Sequence, residues 1–565
     1  MKQRNDSRPA HSRATWWILG FALAALLFQA TLLEPGAPWI TDNGNRYLVM
    51  RNLIDHGTAA MENPAAALDP ENRFFPDGLF HFQHHRGEIL SVYSDIFPRL
   101  SAPFYRGFGE AGLFFWPIAG TLLTLMLTLM LWRPARLPGD RQLLLAAALL
   151  FGTPLLFYSG VFWEMTLSLV LPLAALLLGR AGRYLPAGIV LGCGLWLREE
   201  CYFIAAAAGA VLAFDIRKNP RPLLGFAAGF LLAALPVWTV QFLQFGHPLG
   251  LHGSLYYSHN ASGEAPSWWK RFTGCLDGYW IYLLRFEPAG AGRWYLTLPA
   301  AALAAAGAFR GGRRWKVWLL GCALAMWGWF LVEFFRTSPA DVTEGLAAGF
   351  LCASPLLAGA MVSWRELATL RNPQIRFAMR FALIYLLLVP PLLTRSDIGV
   401  IWGARHFLIL YPMLLLPGWI ALRRMGRFWF PAFLLAAFLL QAAGERQLIH
   451  GNLRALQYTT ALRRSAPETV ISDVFFLPEL APQTFFEKKW LFVKSDEDLD
   501  AALDRLREAG IREFTLVLSP VFSRLSLDAR QRLVREAPPV SPVLTIPAGA
   551  ENDRMAVLIT VCRLQ

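Results

Sequence analysis

Leu113-Phe114-Phe115-Trp116-Pro117-Ile118-Ala119-Gly120-Thr121-Leu122-Leu123-Thr124-Leu125-Met126-Leu127-Thr128-Leu129-Met130-Leu131-Trp132 is followed at once by Arg133-Pro134-Ala135-Arg136. A bilayer core needs about 20 mostly apolar residues in a helix, and this run supplies them without one charge. The pattern repeats along the chain. Apolar runs fall at Trp16–Leu33, Leu113–Trp132, Leu143–Tyr158, Met165–Leu178, Leu185–Leu197, Cys201–Phe214 and Leu223–Phe245. They continue at Trp294–Phe309, Val317–Phe335, Leu346–Trp364, Phe381–Leu393, Phe407–Leu422 and Phe428–Ala443. The expected fold class is therefore a polytopic α-helical membrane protein with about 13 spans.

Composition points the same way. Of 565 residues, 55% are hydrophobic and only 16% charged, outside the range of soluble domains. The 21 tryptophans suit interfacial belts. A net charge of +13 could suggest nucleic acid. The basic residues instead crowd the short connections between apolar runs, and no free basic domain exists to make phosphate contacts, so nucleic acid is excluded as a partner. The six cysteines are scattered, with no CxxC pair and no zinc spacing.

The basic connections set the orientation. Arg4, Arg8 and Arg13 precede the first run, and Arg133, Arg136 and Arg141 follow the second. Arg180 and Arg183, then Arg217, Lys218 and Arg221, then Arg310, Arg313, Arg314 and Lys316 follow the fourth, sixth and eighth. Arg365 to Arg380, and Arg423 to Arg427, follow the tenth and twelfth. Every second connection is basic, which puts all of them and the N-terminus in the cytoplasm. Three segments then lie outside: Glu34–Gly112, Gly246–Gly292, and everything from about Glu445. The last changes composition sharply. It reads as strand Thr469–Phe476, strand Trp490–Val493, helix Glu497–Ala509, strand Glu513–Leu518, helix Ser526–Glu536 and a strand near Met555–Val561. That is a small extracytoplasmic α/β domain at 446–565, after a membrane domain at 1–445 that includes the outer loop 34–112.

The stretch with most chemical content runs from Ile40-Thr41-Asp42-Asn43-Gly44-Asn45-Arg46-Tyr47 to Met50-Arg51-Asn52-Leu53-Ile54-Asp55-His56-Gly57. Tyr47, Met50, Arg51 and Ile54 recur at helical spacing, which predicts an amphipathic helix along the outer membrane surface with an acid at its start. Asp42 there can cap the helix or take a proton from a hydroxyl while basic groups hold a phosphate.

This stretch resembles the GT-C class of membrane glycosyltransferases, and other segments follow in the order of that class. They are Tyr93-Ser94-Asp95-Ile96-Phe97-Pro98-Arg99 with Pro103-Phe104-Tyr105, Phe162-Trp163-Glu164, Leu197-Arg198-Glu199-Glu200, Phe245-Gly246-His247-Pro248, and Gly403-Ala404-Arg405-His406-Phe407 with Tyr411-Pro412. The resemblance covers about residues 15–445. A GT-C-like membrane domain of about 13 spans with an outer C-terminal domain is similar to the lipid-linked arabinose and mannosyl transferase branches.

The resemblance implies transfer of a sugar from a polyprenyl-phosphate carrier to a glycan, lipid or protein acceptor on the outer face. It makes Asp42 the expected base, with Asp95 and Glu164 as further acids, and Arg46, Arg51, Arg198, His247, Arg405 and His406 as expected phosphate or substrate contacts. Many members carry Asp-Glu where this chain has Asp42-Asn43, so no second acid is supplied locally. A divalent cation is compatible with these acids, but no ligand spacing specifies one. Second readings stand beside these. Arg198 with Glu199 or Glu200 can be an internal ion pair, Arg405 can snorkel at the interface, and His84-His85 reads as a solvated pair. Two other functions compete: a lipid or glycan transporter or flippase, which would favour internal repeats, and a non-catalytic envelope-assembly protein. The discriminating feature is whether Asp42, Arg405 and the Arg198 hairpin converge.

Overall fold

The computed structural model describes residues 8–77, 81–135, 137–214, 219–251, 268–284, 302–303, 305, 312–336, 349–351, 353–370, 372–393, 402–403, 405–520, 523–545 and 556–565. The chain is mostly helical, with a five-stranded sheet near its C-terminus. Five helical segments among the described residues are long and apolar enough to cross a membrane: Ala14–Thr31, Ile96–Trp132, Arg221–Phe245, Arg313–Arg336 and Trp429–Arg464.

Several other apolar runs form shorter pieces. Leu143–Tyr158 is split into Gly139–Phe151 and Leu155–Ser159, since Gly152 and Pro154 between them interrupt the helix. Met165–Leu178 is split into Met165–Ser168 and Val170–Arg180. The run Trp294–Phe309 lies almost wholly outside the described residues. Helices pack closely where side chains are small. A Cβ on Gly188 would meet the Phe226 carbonyl oxygen at 2.1 Å, and one on Gly229 the Leu185 carbonyl oxygen at 2.1 Å. Bare glycines thus let the helices Tyr184–Cys193 and Arg221–Phe245 touch backbone to backbone.

The segment after the first helix is a structured layer. It contains helix α1 (Thr41–His56), a hairpin of β1 (Phe82–His85) and β2 (Glu88–Ser91), and helix α2 (Ile96–Phe108). Arg86 and Gly87 both take positive φ, 53° and 85°, as a two-residue hairpin turn requires. Gly57 ends α1 in the left-handed region at φ 77°, its N–H bonding the Leu53 carbonyl.

Helix α1 differs from the expected surface helix. Asp42 to Met50, together with Asn52 and Leu53, are all buried. Its apolar residues Leu48, Val49 and Leu53 share a core with Leu477, Phe485 and Trp490 of the C-terminal domain. Its polar residues are buried because each finds partners. Asn52, for example, donates to the Thr58 and Ala60 carbonyls and accepts from the Glu62 N–H.

The C-terminal sheet has the order β4 (Lys489–Phe492), β3 (Thr469–Ser472), β5 (Glu513–Leu518), β7 (Leu558–Arg563), β6 (Pro539–Leu544). The first three are parallel and the last two antiparallel to their neighbours. Strand β6 was not expected, because prolines at 539 and 542 argue against a strand; it is an edge strand, the place where proline is tolerated. The boundary read at 445/446 falls inside the continuous helix Trp429–Arg464, which carries the chain from the membrane domain to the sheet.

The layer that follows the first helix and the C-terminal domain share a core: Ala65, Leu68 and Phe74 pack with Ile471, Leu491 and Leu506. The Phe492 N–H donates to the Phe74 carbonyl at 2.8 Å, and Arg73 pairs with Asp498 at 2.8 Å. At the centre of this docking, a Cβ on Gly44 would lie 1.5 Å from the Glu479 carbonyl oxygen. Gly44→Ala is therefore expected to push the turn Leu477–Leu480 off α1 and to destabilise the protein by about 1–3 kcal/mol, as over-packing does. A lowered thermal midpoint with faster proteolysis in the C-terminal domain checks this; a midpoint equal to the parent's contradicts the contact.

Candidate functional site

The start of α1 brings together residues far apart in sequence. Asp42 lies in the first turn, but its carboxylate does not cap the helix. The N-cap position is Ile40, whose N–H donates to Asn43 Oδ1 at 3.3 Å. The capping reading of Asp42 is thus corrected: Asn43 satisfies the helix end, which leaves the carboxylate of Asp42 turned into the protein. Tyr93 donates its hydroxyl to Asp42 Oδ1, and Arg405 donates to Oδ2 at 3.0 Å.

One turn along, Arg46 grips Glu164 with two nitrogens, at 2.5 and 2.7 Å, and gives a third bond to the Asp42 carbonyl at 2.8 Å. Glu164 also accepts from Arg198 at 3.1 Å. Arg198 in turn pairs with Glu200, so of the two acids at 199 and 200 it is the second that forms the internal pair. Glu200 also bonds His406 Nδ1 at 2.8 Å, and Arg405 Nε lies 3.4 Å from His406 Nε2. Arg405 is therefore no interface anchor. It is half of a buried ion pair, stacked 5.0 Å from Trp163.

Three carboxylates, of Asp42, Glu164 and Glu200, thus meet three guanidiniums, of Arg46, Arg198 and Arg405. The formal charges balance, which is what permits such burial; Arg46 and Glu164 are each 3% exposed. Aromatic faces line the cations. Arg46 lies 4.2 Å over Tyr93 and 5.5 Å from Trp163. The indole N–H of Trp163 has no partner among the described residues.

The acid is electrostatically set. Burial alone would push the Asp42 carboxyl up, but Arg405, His81 and Arg46, with the Tyr93 hydroxyl, hold it well below the usual carboxylate range. His81 reaches the same carboxylate from just before β1, its Nε2 3.7 Å from Asp42 Oδ1. Its Nδ1 lies 3.0 and 2.9 Å from the two oxygens of Glu479, a residue of the C-terminal domain. Glu479 also accepts from Asn45 at 3.2 Å.

Other expected residues stand apart. Asp95 pairs with Arg99 one turn along its own helix at 2.7 Å, and among the described residues it forms no ion pair with the network around Asp42. Arg51 belongs to a second cluster, donating to Tyr105 at 3.0 Å and to Asp55 at 3.1 Å. His247, just past the helix Arg221–Phe245, accepts from the Leu249 N–H at 3.2 Å. A cleft lined by Glu34, Trp39, Asn43, Tyr47 and Phe162 lies near α1, but Asp42, Arg46 and Arg405 do not line it.

No group of three or more His, Cys, Asp or Glu side chains among the described residues is placed to hold a metal ion. The carboxylate oxygens of Asp42, Glu164 and Glu200 are already taken by guanidinium, hydroxyl and imidazole partners.

His81 and Glu479 were not singled out from the sequence; the neighbouring His84-His85 drew attention instead. His85 bonds the Gln244 carbonyl at 3.1 Å. The pairing of His81 with Glu479 spans 398 positions, so no local spacing reveals it.

No family model matches the chain, and no curated protein matches it. Two solved structures align along nearly its whole length. ArnT from Cupriavidus metallidurans bound to undecaprenyl phosphate aligns over 97% of this chain and 98% of its own, at 15% identity and a TM-score of 0.40. The apo state of that protein aligns over the same shares at 14% identity and a TM-score of 0.42. At this identity and score they assign no residue, donor or acceptor to this chain.

Proposed function

We propose that this chain is a glycosyltransferase of a bacterial inner membrane, which moves a sugar from a polyprenyl-phosphate carrier to an envelope acceptor on the outer face. The observation that carries the reading is the convergence of Asp42, Glu164, Arg46, Arg198 and Arg405 on one buried network, under a layer formed by the outer segment and the C-terminal domain. Asp42, an ionised acid paired with Arg405, is placed to take a proton beside a cation that can meet a phosphate.

The chemistry follows from charge. The donor's phosphodiester carries one negative charge, and breaking the bond between the anomeric carbon and the phosphate oxygen leaves a phosphomonoester with two. The protein's task is to meet that added charge and to hold the acceptor hydroxyl in line. Arg405 is the cation for it: it sits at the edge of the network, held by a single carboxylate oxygen. A donor phosphate that draws Arg405 to itself frees Asp42 Oδ2. Loss of that neighbour raises the proton affinity of Asp42, so donor binding prepares the acid to take the acceptor's proton. The free indole N–H of Trp163 adds a donor beside the same guanidinium.

The test is Arg405→Lys, assayed as transfer from radiolabelled polyprenyl-phosphate sugars in membranes carrying the full chain. An ammonium keeps the charge, but it cannot pair with Asp42, reach His406 and stack on Trp163 together. Transfer is expected to fall by about 10–100-fold, the worth of one or two charge-assisted hydrogen bonds. Full transfer by Arg405→Lys takes Arg405 out of the phosphate site, and no transfer by the parent from any polyprenyl-phosphate sugar defeats the function itself.

A further inference from the structure

The C-terminal domain touches the candidate site at one point. Glu479, in the turn Leu477–Leu480, is 1% exposed and reaches past α1 to His81. Both carboxylate oxygens of Glu479 lie within 3.0 Å of His81 Nδ1, and Asn45, itself fixed by Ser91 at 2.7 Å, holds one of them from the other side. A carboxylate on one ring nitrogen fixes the tautomer and leaves the other nitrogen to accept a proton. That other nitrogen, Nε2, faces Asp42 Oδ1 at 3.7 Å. The order is carboxylate, imidazole, carboxylate, and the middle group joins an acid of the membrane domain to an acid of the soluble domain.

We infer that the C-terminal domain is part of the reaction centre: Glu479 holds His81 as the final acceptor of the proton that the sugar acceptor gives up through Asp42. The inference rests on the transferase reading above. The step balances. The acceptor's O–H bond breaks and its oxygen bonds the anomeric carbon. The bond from that carbon to the phosphate oxygen breaks, with its electron pair going to the phosphate. The proton passes by way of Asp42 to His81 Nε2, and Glu479 stabilises the imidazolium that results.

A separate consideration requires such a sink. Asp42, held strongly acidic by its cations, is a poor place for a proton to stay. The groups facing His81 are Asp42 and Arg46 from α1, Glu479 from the C-terminal domain, and the Tyr93 ring at 5.5 Å. Burial lowers the proton affinity of His81, but Glu479 and Asp42 outweigh it and raise it above the ordinary histidine value. Glu479 is pushed up by burial and pulled down by His81 and Asn45, and stays above the usual carboxylate range.

The experiment is the pH profile of sugar transfer in membranes carrying the full chain, with a panel of polyprenyl-phosphate-linked pentoses and hexoses as probe. His81 must be neutral to accept, so transfer rises as pH passes upward through its pKa. Glu479→Gln removes the charge that raises this pKa while keeping a carbonyl oxygen for Asn45. The rising limb is expected to move toward lower pH by about one unit or more, with transfer reduced by about tenfold. His81→Gln is expected to abolish the limb and reduce transfer by about 10²-fold. Glu479→Asp is expected to return the limb toward the parent's position. A limb that stays in place in Glu479→Gln overturns the inference while leaving the transferase reading intact, because a merely structural contact moves the amount of folded enzyme and not the pH dependence. A parent that transfers no sugar from the panel overturns both.

Discussion

Asp42→Asn is expected to give a folded protein that transfers sugar ~10²–10⁴-fold more slowly than the parent, the usual loss on removing a general base. The amide matches the carboxylate in size, and its oxygen can still accept from Tyr93. What it cannot do is hold a proton or neutralise Arg405. The capping role, the main structural rival for this residue, is already filled by Asn43, so helix α1 does not depend on the substituted group. Because neighbouring cations keep Asp42 ionised far into the acid range, its own protonation does not limit activity near neutral pH. Any limb of the profile there belongs to another group, and His81 is the group beside it. Near-normal transfer by well-folded Asp42→Asn removes Asp42 from the chemistry and leaves Glu164 as the acid of the network to test next. Equal yield, equal detergent behaviour and an unchanged thermal midpoint must be shown first, since an unpaired Arg405 can also destabilise the fold.

The membrane character was legible because it depends on run length and composition, which are local. Twenty uncharged residues at 113–132 have no soluble explanation. The C-terminal strands and helices were legible for a similar reason. Glu513–Leu518 alternates and lies between turn signals, and Ser495 and Ser526 cap the two helices that follow them in sequence. The site was legible only as separate residues. Asp42, Glu164, Arg198 and Arg405 stood out as members of separate segments that resemble the glycosyltransferase class, and Arg198 also as a charge at the tip of a short apolar hairpin. Their partners did not. Tyr93 was only the first residue of a resembling segment, and Glu200 was one of two adjacent acids. Glu479 sat in a domain whose sequence carries no catalytic signature. Which acid meets which base is decided by tertiary docking, of α1 against the turn Leu477–Leu480 above all, and that contact spans more than 400 positions. The same docking explains why α1 misled: a helix expected to be half wet is covered on both sides, so its polar residues are network members and not a solvated face.

Arg46→Met is expected to be the most destabilising single change in the network, at about 3–5 kcal/mol, the range for breaking a buried ion pair from one side. Arg46 gives Glu164 two of its three guanidinium bonds and holds the Asp42 carbonyl with a third nitrogen. Without it, the one guanidinium left on Glu164 among the described residues is that of Arg198 at 3.1 Å, and Arg198 is already shared with Glu200. A buried net negative charge then remains beside Asp42. The double variant Arg46→Met with Glu164→Leu removes both charges and fills the space with apolar groups, and it is expected to recover much of the loss, since a buried pair and its hydrophobic replacement are often nearly equal in stability. A double-mutant cycle on unfolding in mixed detergent micelles isolates the coupling. If Arg46→Met unfolds within about 1 kcal/mol of the parent, solvent reaches Glu164 and the network is not sealed. If the single variant is severely destabilised and the double variant is stable but inactive, the pair exists for the reaction. Its work is then to hold Asp42 and Arg198 in place for the transfer, and the fold can stand without it.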